Sequence, residues 1–355
     1  MTEIANDLLL RTLRREPAPR RPVWLMRQAG RYMEEYLRVR KRAGSFMAMC
    51  RSPETCCEIT LQPIERFGLD AAIIFSDILT IPAEMGLDLH FVEGKGPRFG
   101  APLATEAQML AAEPPPLESL RYVFDAVAAT RKALGGRVPL IGFAGAPFTL
   151  MCYMVEGSGG DFLRARLALR SAERGVHALL SAVADAAVGY LEEQAKAGAD
   201  AVMLFESWGD LLSDEDFGAF SAPYLDRVVA GVKGRCPGLP VIVFVRAGSR
   251  WCERVAATGC DAVGVDWRAD LGEVRERTGG KVAVQGNLDP AVLLAERPED
   301  VRAAASRCVE SYGPAPGHVF NLGHGVNLRT PPENVEVLVE AVRSASERLL
   351  AGGSG

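Results

Sequence analysis

In the stretch PVWLMRQAGRYMEEY (Pro22 to Tyr36), Arg27 and Arg31 follow a short apolar run, Val23 to Met26, with Gln28, Ala29 and Gly30 between them. Guanidinium groups are planar forks suited to carboxylates and other oxyanions. A buried strand that hands the chain to two cations and a glycine places charge at an edge, and Gly30 leaves room for close ligand approach. From these residues alone, an anion clamp and two solvated loop arginines are both open readings. Asp77 closes another apolar run, AAIIF plus Ser76, and either caps the next segment or accepts N–H bonds from a ligand. His324 sits between Gly323 and Gly325, a setting that admits packing against a ligand. Tyr153 and Ser207 lie beyond further apolar runs, where structural roles serve equally well. His90, His177 and His318 read as structural, in an excursion, a helix and a strand respectively.

The elements that must position these groups repeat along the chain: apolar strand, polar loop, amphipathic helix. The expected strands are Val23–Met26, Ala71–Phe75, Pro139–Phe143, Ala201–Phe205, Val241–Val245, Ala262–Val265, Val282–Val284 and His318–Leu322. Between them the periodicity predicts helices, among them one from Ser52-Pro53 to about Phe67, with Ser52 as N-cap, and one over Ser171–Ala197. Gly86–Phe91 and Gly94–Phe99 suggest a hairpin outside the main pattern. Nearly continuous apolar strands alternating with helices imply a parallel sheet covered on its faces. Eight such units match an α/β fold of the closed (β/α)8 TIM-barrel type better than an open sheet, and no G-x-G-x-x-G or P-loop pattern favours the doubly wound alternative. The expected organisation is an N-terminal arm over residues 1–21, a barrel catalytic domain over 22–350 and a flexible tail over 351–355. In such a barrel the site lies at the C-terminal strand ends, where Arg27, Arg31, Asp77, Tyr153, Ser207, Arg246, Asp266, Asn287 and His324 all fall.

Bulk properties narrow the class. With 355 residues, 48% hydrophobic and 24% charged, the chain can bury a substantial core. A formal net charge of −5 argues against a general nucleic-acid binder. The charge is uneven, however: residues 11–51 carry Arg11, Arg14, Arg15, Arg20, Arg21, Arg27, Arg31, Arg38, Arg40, Lys41, Arg42 and Arg51 against Glu16, Glu34 and Glu35. Either a local anion site or a solvated basic arm accounts for that. The eight cysteines form no C-x-x-C pair, no zinc-ligand spacing is present, and no signal peptide pattern precedes them. They read as reduced thiols in a cytoplasmic protein. Apolar runs are too short to span a bilayer, so no membrane association is expected.

The motifs PVWLMRQAGRYMEEY, IIFSDIL, GFAGAPFTLMCYMVEG, LFESWGD, GVDW, QGNLDP and FNLGHGV, in this order and spacing, resemble the uroporphyrinogen decarboxylase family over about residues 20–347. That resemblance implies a (β/α)8 barrel, usually a homodimer, that removes the four acetate carboxyls of uroporphyrinogen III as carbon dioxide in porphyrin and haem biosynthesis. It implies no metal and no cofactor. By motif it makes Arg27 and Arg31 the partners of substrate carboxylates and Asp77 the acceptor of pyrrole N–H groups, these three being the catalytic candidates. Tyr153, Ser207 and His324 join them as substrate-binding residues. Asp210, Arg246 and Asn327-Leu328 depart from the family pattern and affect loop detail.

The chemistry agrees with the resemblance. Losing carbon dioxide from an acetate requires an electron sink, and a pyrrole protonated at ring carbon is one. A carboxylate facing the ring N–H groups would stabilise the positive charge that develops there. Two other readings differ in class. A corrinoid-dependent methyltransferase of related barrel would hold zinc through an H-x-C motif, which this chain lacks; a porphyrin-binding protein without catalysis would show no turnover.

Overall fold

Strands buried along their whole length dominate the centre of the molecule: β4 (Leu140–Gly145), β5 (Ala201–Glu206) and β6 (Val241–Val245) carry almost no exposed side chain. Other elements must then cover both faces of the sheet these strands form. In the computed structural model, which describes residues 3–92, 94 and 96–352, this is met by a curled parallel sheet wrapped in helices. With β1 (Ala72–Ile73), β7 (Ala262–Gly264), β8 (Ala283–Leu288) and β9 (His318–Leu322), the sheet runs β1-β4-β5-β6-β7-β8-β9. The hairpin β2 (Leu89–Val92) and β3 (Gly96–Phe99) stands apart as an antiparallel pair.

The run Val23–Met26 occupies the place between β9 and β1 but is not a regular strand. One parallel bridge, Val23 to Phe320, marks it. Pro22 has no N–H to give, although its carbonyl accepts from Phe320 N at 2.9 Å. Side chains accept the N–H groups of Val23, Leu25 and Met26. Asp70 Oδ2 accepts Val23 N–H at 2.9 Å, Gln28 Oε1 accepts Leu25 N–H at 3.2 Å, and Asn321 Oδ1 accepts Met26 N–H at 2.9 Å. Trp24 N–H also donates to the Phe320 carbonyl, at 3.3 Å, so the sheet is an incompletely closed barrel whose eighth stave is held by a short backbone bridge and by side-chain hydrogen bonds together.

Further elements differ from expectation or had none. Gln285-Gly286-Asn287 continues β8 instead of leaving it, because each polar side chain finds a buried partner. Gln285 Oε1 accepts Trp24 Nε1–H at 3.0 Å, and Asn287 Nδ2 donates to the carbonyls of Asp266 and Ala269, both at 2.8 Å. The segment after β4 is a helix, Pro147–Glu156, buried nearly all round, so no amphipathic period reveals it. The Ser52 N-cap forms as read, its hydroxyl accepting Thr55 N–H at 3.2 Å ahead of the helix Pro53–Phe67. The long helix begins two residues late, at Glu173, and reaches Ala197.

At the N-terminus the helix Leu8–Leu13 buries Leu9 and Leu13. Arg20 then forks onto Asp70 with two contacts of 2.6 Å. Of the expected tail, Ala351 and Gly352 end the last helix, and residues 353–355 lie outside the described residues. Among the described residues no helix is long and apolar enough to cross a membrane.

Asp70 is fully buried and joins Arg20, Val23 N–H and, at 2.8 Å, Asn6 Nδ2. Asp70→Ala is expected to cost about 3–5 kcal/mol of unfolding free energy, because it strands a guanidinium and a backbone donor in the interior. Urea unfolding measures this, and a loss under about 1 kcal/mol would place the pair with ordinary surface ion pairs.

Candidate active site

The C-terminal ends of the staves open into a cavity of about 1470 Å³. That exceeds the roughly 300–1,000 Å³ typical of sites for drug-sized ligands. Its floor is aromatic. Phe143, Phe205 and Phe244 stand at the ends of successive strands β4, β5 and β6. Phe143 and Phe205 meet edge to face at 5.6 Å, and Phe205 and Phe244 tilt together at 6.2 Å. This row escaped the sequence reading, although one phenylalanine near the end of each of three consecutive strands is its signature.

The cations come from one contiguous segment. Arg27 and Arg31 line the cavity, and so do Arg40 and Lys41 on the helix Glu34–Ala43. The last two were visible in the basic run but were not singled out. Gln28, buried between the two arginines in sequence, bonds Leu25 N–H and donates to the carbonyl of Ala71 at 3.2 Å, fixing the turn. The left-handed residue of this turn is Arg27 (φ 58), not Gly30. For a non-glycine residue that conformation costs about 1–2 kcal/mol, and the turn's side-chain anchors hold it.

The glycines around His324 also serve the protein itself. A Cβ at Gly325 would lie 2.4 Å from Arg27 Cδ, and one at Gly323 would lie 2.4 Å from Trp267 N. Gly325 therefore makes room for the Arg27 stem. His324 Nδ1 accepts Gly325 N–H at 2.8 Å, so the imidazole carries its proton on Nε2. Burial, with Arg27 and Arg246 nearby, lowers its pKa to about 4.

Asp77 is the one carboxylate among the described lining residues. Its Oδ1 accepts Leu79 N–H at 2.8 Å, which fixes the side chain and leaves Oδ2 without a hydrogen-bond donor among the described residues. Burial raises its pKa, while the Leu79 N–H and the Arg27 charge oppose that rise. Ser207, just beyond β5, lines the same cavity. Tyr153 is half-buried, close to the lining but not part of it. It packs edge to face on Phe162 and Trp208 at 5.2 and 6.1 Å, and its pKa is pushed up to about 12, chiefly by burial. The charges of Asp77 and Arg27 still reach it.

The remaining strand-end groups are structural. Asp266 accepts Ala247 N–H at 2.8 Å and Arg268 N–H at 3.1 Å. Arg246 pairs with Asp210 at 3.1 Å and covers the Trp208 ring, so two of the departures from the family pattern meet as one ion pair. His90, read as structural, lies on the cavity rim in the hairpin. Asn327 and Leu328 also line the cavity. Among the described residues, no group of three or more His, Cys, Asp or Glu side chains is placed to hold a metal ion.

Comparison with known proteins decides the family. The model described as uroporphyrinogen decarboxylase (URO-D) matches residues 4–345. The chain belongs to the uroporphyrinogen decarboxylase family. The uroporphyrinogen decarboxylase of Aromatoleum aromaticum is 52% identical over 356 residues, 99% of this chain and 100% of the relative. That of Thioalkalivibrio sulfidiphilus is 54% identical over 349 residues, covering 97% and 99%. Among solved structures, a methyltransferase from Methanosarcina mazei superposes with a TM-score of 0.79 at 20% identity, covering 96% of this chain and 99% of that one. A B12-independent methionine synthase from Shewanella gives 0.54 at 13% identity, with coverage of 94% and 96%. Those likenesses concern the fold, which decarboxylases of this family share with proteins of other activity.

The His324 geometry predicts a pH dependence. The unfolded chain takes up a proton near the ordinary value of 6.5, whereas the folded imidazole does so near 4. Between those values the unfolded state binds the extra proton, so this group's contribution to stability falls as pH falls. His324→Gln should flatten that part of the stability profile. In NMR the His324 ring should not titrate between about pH 5.5 and 8, and a midpoint near 6.5 would overturn the neutral assignment.

Proposed function

We propose that this cavity performs the decarboxylation of uroporphyrinogen III to coproporphyrinogen III, with Asp77, Arg27 and Arg31 as its catalytic residues. In each of four rounds a ring-bound acetate loses carbon dioxide and a proton takes its place, leaving a methyl group. The ring supplies the electron sink when protonated at carbon, and the protein's work is electrostatic. Arg27 and Arg31 hold substrate carboxylates as bidentate forks. Arg40 and Lys41 extend the same positive wall.

Asp77 accepts the pyrrole N–H groups. The observation that carries this reading is its setting: one oxygen is tied to Leu79 N–H, on an aromatic floor beneath a basic wall. A carboxylate held in advance stabilises the cationic ring without reorganising, and its second oxygen faces the ligand. The neutral His324 donates from Nε2, and Ser207 and Tyr153 complete the substrate contacts. The protein acts in porphyrin and haem biosynthesis in the cytoplasm.

Anaerobic incubation with uroporphyrinogen III and chromatography of the products tests the assignment; wild-type protein should yield coproporphyrinogen III. Asp77→Asn keeps the shape but removes the charge, and should lower kcat by about 10²–10³-fold in a folded protein. Arg27→Lys loses the fork and should lower kcat/KM by about tenfold or more. Full activity in either variant would remove that residue from the machinery. The active species is a homodimer, to be checked by light scattering: a mass of one chain at assay concentration would contradict it.

A further inference from the structure

Beside Ser207 lies a carboxylate that the proposed mechanism does not use. Glu206 ends β5 and is completely buried. No salt bridge neutralises it among the described residues. Two hydroxyl groups donate to it instead: Thr149 to Oε1, and Ser221 to Oε2 at 3.0 Å. A buried carboxylate without a cation is costly unless its lone pairs are met, and here they are met by two different helical elements. Thr149 belongs to the helix Pro147–Glu156, one turn before Tyr153, and Ser221 precedes the helix Ala222–Arg235. Thr149 Oγ1 also accepts Trp208 N–H at 3.3 Å. Having spent its proton on Glu206, the hydroxyl is oriented to do so. The Trp208 ring then packs on Tyr153 at 6.1 Å and on Phe162 at 4.7 Å. A single carboxylate thus ties the end of β5, the Ser207-Trp208 turn and the Tyr153 helix into one wall. Both hydroxyls donate, so the arrangement is specified for the ionised form, even though burial lifts the pKa to about 7.

We propose that Glu206 is a positioning residue: through Thr149 and Ser221 it holds Ser207 and Tyr153 where they bind substrate. The inference rests on the decarboxylase reading of the cavity. Glu206→Gln keeps the shape but forces one hydroxyl to reverse, and Thr149→Val removes the relay alone. Each should raise KM for uroporphyrinogen III by about tenfold while kcat stays within about twofold. A merely structural defect lowers the active fraction, which reduces apparent kcat at unchanged KM. The double variant should be no worse than the more affected single one, because both substitutions break the same chain of bonds. Unchanged KM in folded Glu206→Gln and Thr149→Val proteins, or effects that simply multiply in the double variant, would overturn the proposal. If Glu206→Gln does not fold, KM of Thr149→Val decides alone. Wild-type protein that leaves uroporphyrinogen III intact would overturn the cavity reading and this inference with it, whereas active wild type with unaltered variants would overturn the inference only.

Discussion

The structure depends on how one stave is held with only a single bridge of regular ladder. Pro22 to Met26 must lie between β9 and β1 for the barrel to approach closure, yet it begins with a residue that has no N–H. Asp70, Gln28 and Asn321 supply acceptors where a neighbouring strand ordinarily would. Side-chain acceptors place each amide individually, so the chain is free to turn sharply after Met26. That freedom permits the left-handed conformation of Arg27 and aims the following cations at the cavity. Asp70 is the centre of this arrangement because it binds the stave, Arg20 and the N-terminal segment at once.

The cavity separates its electrostatic tasks by depth. Cations occupy one wall and rim, where water screens them and where a polyanionic ligand first arrives. Phenylalanines form the floor, and Asp77, the one carboxylate among the described lining residues, shares the cavity with that apolar surface. Burial alone would drive Asp77 toward its neutral form. The Leu79 N–H and the Arg27 charge pull in the other direction, and a carboxylate balanced in this way interacts strongly with positive charge that appears nearby. His324 reaches neutrality by the same depth, so its contribution is a directed N–H rather than a charge.

How much of this was legible from residues alone varied with its physical origin. Strands such as Val241–Val245 announced themselves because complete burial demands an unbroken apolar run. The Ser52-Pro53 helix start was equally plain, since capping is a local interaction. The helix Pro147–Glu156 was hidden by burial on all sides, and β8 was cut short because Gln285 and Asn287 look like loop residues until their distant partners are known. At the cavity, the basic run signalled cations without telling Arg40 from Arg38, because about half a turn of helix decides which faces inward. The glycines flanking His324 were read as ligand clearance; their neighbours prove to be Arg27 and Trp267, contacts made across the whole fold. Asp210 and Arg246 seemed separate oddities, and only three-dimensional contact shows them as a pair.

The N-terminal stave has one more implication, and it concerns time. Met26 is fixed by Asn321, a partner 295 positions further along, and its carbonyl accepts Val326 N–H. During synthesis the residues that carry the cations are made well before the residues that seat them. Contacts of such separation form late, after shorter loops have closed. Until β9 docks, the nascent chain holds a basic segment whose seat is incomplete, so binding competence waits on that one docking step rather than accumulating strand by strand.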